Sequence, residues 1–174
     1  MSESPVAPLQ EWHDFYLLIA AASTTLIGAM FVVVSIATSY LTAESAARSR
    51  IFLTPIVLHL STVVLGCAVA TVPSLSATSF SVLIGLGSLA GLAYSLAIAA
   101  RVGWSKLDAD DRLFYAAIPV LAYLALFAAA IFTLRQLSWS FDIFALALAL
   151  LLVTGIRNAW DLTLFFAVKS GEPD

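Results

Sequence analysis

The sequence predicts an all-α integral membrane protein, a bundle of about five transmembrane helices with no soluble domain. Three observations predict it: an apolar composition, five apolar segments of spanning length, and connections too short to fold alone. Of the 174 residues, 61% are hydrophobic and 11% are charged. A soluble domain is about a quarter charged and just under half apolar. A water-soluble globule of this size has too little interior for so much apolar surface, whereas a bilayer covers it with lipid.

A helix crosses the hydrocarbon core in about 20 residues. Segments 15–40, 51–72, 80–100, 113–134 and 141–168 meet that length, and the linkers between them hold much of the charge. The whole chain, 1–174, therefore reads as a single transmembrane domain. Residues 1–14 contain no Lys or Arg. The apolar run after them is too long for a signal-peptide core, so it is expected to stay as a helix.

Basic residues set the expected orientation. Arg48, Arg50, Arg101, Lys106, Arg112 and Lys169 fall on one side of a five-span chain, against Arg135 on the other. This predicts an outside N-terminus and a cytoplasmic C-terminus. Trp12, Trp104 and Trp139 lie near span ends, where amphipathic rings favour the interface. A net charge of -3 without a basic patch argues against nucleic acid. The single cysteine, Cys67, permits no intramolecular disulfide and is expected to pack as a small buried hydrophobe.

The fifth segment carries the sharpest polar signal. Thr154, Arg157, Asn158 and Asp161 recur at i, i+3, i+4 and i+7, which puts them on one helix face. Measured from the end of that segment, Arg157 lies roughly 16 Å inside at 1.5 Å per residue. That is too deep for full snorkelling, so Arg157 is expected to face protein or a water-filled cavity, paired with Asp161 one turn on. An ionisable residue at membrane depth costs roughly 2.5–3.5 kcal/mol. Two readings follow: a structural ion pair pinning this helix, or a transport, gating or ligand-binding role.

Other polar residues are expected at similar depth. They are Ser35, Thr38 and Ser39 on the first helix, and His59, Ser61 and Thr62 on the second. The third adds Tyr94 and Ser95, and the fourth Tyr115 and Tyr123 around Pro119. Together they predict a polar, hydrated cytoplasmic half beneath a drier outer half that holds Ser23, Thr24 and Thr25.

His59 suits proton relay, metal or haem chemistry. The other histidine, His13, lies at the opposite end of a span, so a two-histidine haem is not expected. A metal site needs several ligands at one depth, and Asp161 alone qualifies. No cofactor and no metal is expected. The remaining reading is a hydrogen-bonded core histidine.

Gly87, Gly91 and Ser95 recur at four-residue spacing on the third helix, with Gly85 and Gly103 flanking them. Ala21, Thr25 and Ala29, and Thr24, Gly28 and Ser35, form similar stripes on the first. Small residues at that spacing let helix backbones approach closely. Packing within the chain is expected first, packing between copies second, with the Thr24–Ser35 face as a weak pore lining. Lys106, Asp108, Asp110, Asp111 and Arg112 make the third connection a solvated loop. It lacks the glycine and closing glutamate of a helix-loop-helix calcium site, and Ser105 with Asp108 reads as a helix cap. Arg50-Ile-Phe before Pro55 and Arg112-Leu-Phe before Pro119 read either as a trace of a duplicated hairpin or as prolines tolerated near helix starts.

The opening Trp12-His13-Asp14-Phe15 leads into Ala21-Ala22-Ser23, Leu26-Ile27-Gly28 and Phe31-Val32-Val33-Val34-Ser35. This stretch, and the closing Gly155-Ile156-Arg157-Asn158-Ala159-Trp160-Asp161-Leu162, resemble a broad group of small uncharacterised bacterial multi-span inner-membrane proteins. The resemblance implies a bacterial inner-membrane location and no reaction.

The sequence thus predicts a small homo-oligomeric channel or carrier for an ion or small solute, with a polar vestibule in its cytoplasmic half. The alternative is a non-catalytic accessory or scaffold subunit bound to a partner membrane protein. An enzyme is not expected, because no paired carboxylates or nucleophile–base set is present at compatible depth.

Overall fold

A computed structural model describes residues 12–37, 43–101 and 112–170, with side chains for 12–36, 53–100 and 112–168. Five long helices follow in order: α1 His13–Ala37, α2 Ala43–Ala70, α3 Ala77–Arg101, α4 Ile118–Leu134 and α5 Ser140–Ser170. A π-helical turn, Leu113–Ala117, leads into α4. All five are long and apolar enough to cross a membrane, and no strand occurs among the described residues. The protein is a membrane-embedded helical bundle.

Local chemistry explains the helix ends. Ser76 caps α3, its Oγ accepting the Ser79 N–H at 3.0 Å, the usual remedy for an unpaired first-turn donor. At the end of α4, Leu137 N–H reaches back to the Phe132 carbonyl and Gln136 N–H to that of Thr133. This double closure needs a left-handed residue, and Gln136 supplies it with φ 56°. The apolar stretch of α2 is expected from Ile51, but the helix itself starts at Ala43. Hydropathy marks only the apolar stretch, while the Ala-rich segment before it is a good helix former. Pro55 is consequently interior to α2, not near its start. The expected end of the first helix at 38–40 lies outside the described residues, as do Thr38, Ser39 and the solvated loop with Gly103, Trp104, Ser105, Lys106 and its three aspartates.

The bundle is built around α5, against which α4, α2 and α1 pack, while α3 lies on α4 and α2. Half of the α5 span is buried, against 17% of α1. Near the start of α5 the core is aromatic. Phe80 stands edge-on to Phe144 at 5.2 Å and Tyr16 to Phe144 at 5.6 Å. Cys67 is buried in the same core. A second core, at the other end, joins Met30, Ile56, Leu60, Ala159, Leu162 and Phe166.

Glycine contacts bring α2 and α5 together reciprocally. A Cβ on Gly66 would meet Leu148 Cδ2 at 3.0 Å, and one on Gly155 would meet Leu60 Cδ2 at 2.6 Å. Each helix thus lends a notch to the other's leucine. Of the small-residue stripes expected from spacing, Gly91 is the position that serves the interior: a Cβ there would collide with the Tyr123 ring. Gly28 and Gly87 have nothing within 4 Å of a Cβ, and both are exposed. Spacing alone does not say which side of a helix faces a neighbour, and on α1 and α3 much of the stripe turns outward.

This contrast is testable on one helix. Gly91→Ala should lower stability by about 1–3 kcal/mol, as overpacking does. Gly87→Ala should be neutral or stabilise by up to about 1 kcal/mol through helix propensity. Unfolding in detergent measures both, and equal losses would contradict the placement of Tyr123.

Candidate functional site

The polar residues gather where α2, α4 and α5 meet, and the arrangement starts from Pro119. Proline has no N–H, and its ring crowds the carbonyl four residues back. The helix answers with a wider turn: Ile118 N–H bonds to the Leu113 carbonyl, a five-residue step. In that register the Phe114 carbonyl would look to residue 119, which has nothing to donate. Asn158 supplies the missing donor, its Nδ2 reaching the Phe114 carbonyl at 3.4 Å. Asn158 is fully buried, and its Oδ1 has no partner among the described residues.

One residue earlier on α5, Arg157 pairs with Asp161 as the i, i+4 spacing predicts. Its guanidinium also lies over the Phe114 ring, 5.6 Å from the centroid. The two ionic side chains stay 37% and 31% exposed. Arg157 thus stands beside the turn leading into α4, and past it Leu162 and Phe166 of α5 still pack against Met30 of α1 and Ile56 of α2.

Deeper along α4 is a second polar group. Tyr123 Oη lies 3.0 Å from His59 Nδ1 and 3.1 Å from Thr62 Oγ1. Thr62 also donates to the Leu58 carbonyl at 2.9 Å. His59 and Tyr123 are both almost fully buried, and the tyrosine ring occupies the notch left by Gly91. Thr154, fully buried, donates to the Leu150 carbonyl at 2.8 Å. Ser95 is buried with its hydroxyl unpartnered among the described residues.

The site residues expected from sequence divide accordingly. Arg157, Asn158 and Asp161 gather around Phe114, and His59 joins Tyr123 and Thr62. Ser35 turns outward on α1, exposed and bonded to the Phe31 carbonyl at 2.8 Å. Thr24 and Thr25 likewise return their hydroxyls to the carbonyls of Ala20 and Ala21, the habit of hydroxyls in apolar helices. That face offers backbone-satisfied groups, a poor lining for a pore. Sequence reading named Tyr123 but missed its pairing with His59, and missed the Phe114 carbonyl entirely. Pro119 was the available signal for the second, since a proline past the first helical turn always leaves a carbonyl to be answered.

Among the described residues, no group of three or more His, Cys, Asp or Glu is placed to hold a metal ion. Compared with known proteins, the chain matches no family model, no curated protein and no solved structure.

The link between Pro119 and Asn158 predicts a coupling. Asn158→Leu should destabilise the wild-type bundle by about 1 kcal/mol, the net worth of a buried hydrogen bond. In a Pro119→Ala background, where residue 119 regains its N–H, the loss should largely vanish. A double-mutant cycle in detergent reads this directly, and additive effects would dissolve the link.

Proposed function

We propose that this chain is a small carrier or channel subunit of the bacterial inner membrane, moving an ion or small solute, with its N-terminus outside and its C-terminus in the cytoplasm. The observation that carries the reading is the two-level polar track on the α2–α4–α5 wall. The Arg157–Asp161 pair stands partly exposed at its mouth, and His59, Thr62 and Tyr123 form the deeper level. Beyond them lies the aromatic core of Tyr16, Phe80 and Phe144. A polar approach closed by a dry plug suits a gated path, open to one side at a time. Such a path requires no permanent pore, which five helices of this length have little room to enclose.

Homo-oligomer formation belongs to the same reading. The outward stripes at Gly28 and Gly87 are open and suit close helix–helix contact between copies. They equally favour a second reading, in which a different membrane protein covers them and this chain is its accessory subunit. The mass of the assembly extracted in mild detergent separates the two: one closed homo-oligomer for the first, co-extraction with another chain for the second.

Reconstituted in liposomes, Arg157→Gln and Asp161→Asn should each lower solute or ion flux by about tenfold or more. Wild-type flux left intact in both variants would remove the ion pair from the path.

A further inference from the structure

The hydrogen bonds around Tyr123 can be ordered by counting protons. Thr62 has one hydroxyl proton, and it goes to the Leu58 carbonyl. In the contact between Thr62 and Tyr123, the donor is then Tyr123. That uses the tyrosine's proton, so in the contact with His59 Nδ1 the donor is the histidine. The opposite order would ask the one Thr62 proton to serve two acceptors. The chain runs from His59 Nδ1–H to Tyr123 O–H to Thr62 O–H to the Leu58 carbonyl. It leaves Nε2 with a free lone pair, in the tautomer less favoured by histidine in water.

We infer that His59 is a reversible proton-binding site, taking a proton at Nε2 while Nδ1–H stays on Tyr123, and that the ion linked to the polar track is H+. This rests on the transport reading above. The step is simple: one N–H bond forms at Nε2, the donor, hydronium or a substrate O–H, loses that proton, and the ring passes from neutral to a single positive charge. No other bond changes, because the Tyr123 contact is made by the other nitrogen.

The same ordering excludes a through-going proton wire. Its last member is a backbone carbonyl, which has no exchangeable proton to pass on. A proton arriving at His59 leaves by Nε2 again. The site therefore stores a proton and does not conduct one, as a proton-coupled carrier requires.

The setting gives the added charge consequences. On α4 the facing group is Tyr123 itself. On α3, Tyr94 lies one turn past Gly91, the notch that takes the Tyr123 ring. On α5 are the Arg157–Asp161 pair and the buried, unpartnered Oδ1 of Asn158. The contacts of Gly66 with Leu148 and of Gly155 with Leu60 fix the α2–α5 register, and in it Arg157 and Asn158 stand opposite the turn that holds His59. Residues 17–37 of α1 contain no ionisable side chain. A proton on Nε2 is thus a new donor in a region that holds an orphaned acceptor.

The test uses the full chain in nanodiscs with 15N-labelled histidine. His13→Gln leaves His59 as the one histidine observed by NMR. At neutral pH the expected spectrum is that of a ring protonated at Nδ1 and free at Nε2. Acidification between about pH 8 and 4 should protonate Nε2. Tyr123→Phe, which keeps the ring in the Gly91 notch, should release the tautomer to Nε2–H. A neutral-pH Nε2–H tautomer in the His13→Gln protein, or no titration across that range, would overturn the inference. In liposomes carrying a pH-sensitive dye, His59→Asn should cut proton-coupled uptake by about tenfold or more. Titration by NMR without any wild-type flux would uphold the proton site and sink the transport reading. Wild-type flux that is independent of pH and equal in His59→Asn would do the reverse.

Discussion

Inside a bilayer no water waits to satisfy a polar group that the chain leaves unpaired, and such a group costs several kcal/mol. Much of the arrangement at the α2–α4–α5 wall descends from that constraint meeting one proline. Pro119 removes a backbone donor, the turn before it widens, and the Phe114 carbonyl is left without a helical partner. Asn158 answers it from α5. The answer ties the entry of α4 to the helix on which the rest of the bundle packs. It also fixes the rotation of α5, so that Arg157 comes over the Phe114 ring and Thr154 turns inward.

Lipid tails are as apolar as leucine, so helices in a membrane associate by shape more than by hydrophobic gain. The glycines show how. Gly66 and Gly155 trade notches between α2 and α5, and Gly91 takes the Tyr123 ring. The last contact is structural and chemical at once: the notch on α3 sets the position of a hydroxyl on α4, which in turn orders the protons of a histidine on α2. Two helices thereby share one hydrogen-bonded unit, whose geometry depends on a glycine of a third.

The helices themselves were legible because hydropathy over about 20 residues is a strong signal, and the six ends expected at 80–100, 113–134 and 141–168 lie within a few residues of the observed ones, counting the π-turn with α4. The Arg157–Asp161 pair was legible because i, i+4 contact is local. What sequence could not supply was rotation about each helix axis. Gly87 and Gly91 lie on one stripe, yet only the second meets another helix. Tyr123 and His59 were both visible as polar residues of the same half, but nothing local joins residues so far apart in the chain.

One face of α5 bears on how the bundle would work, because its part-exposed side carries the Arg157–Asp161 pair and its buried side holds Asn158. Asn158 is bonded on one side to Phe114 and is unanswered on the other. An amide with a spare acceptor in an apolar setting is a costly resting state, and any event that brings it a donor lowers that cost. Protonation of His59 would add a donor and a positive charge to the facing helix. The contacts at Gly66 and Gly155 hold the α2–α5 register, so a positive charge gained on α2 would act through a dry interior on the α5 face that carries the Arg157–Asp161 pair.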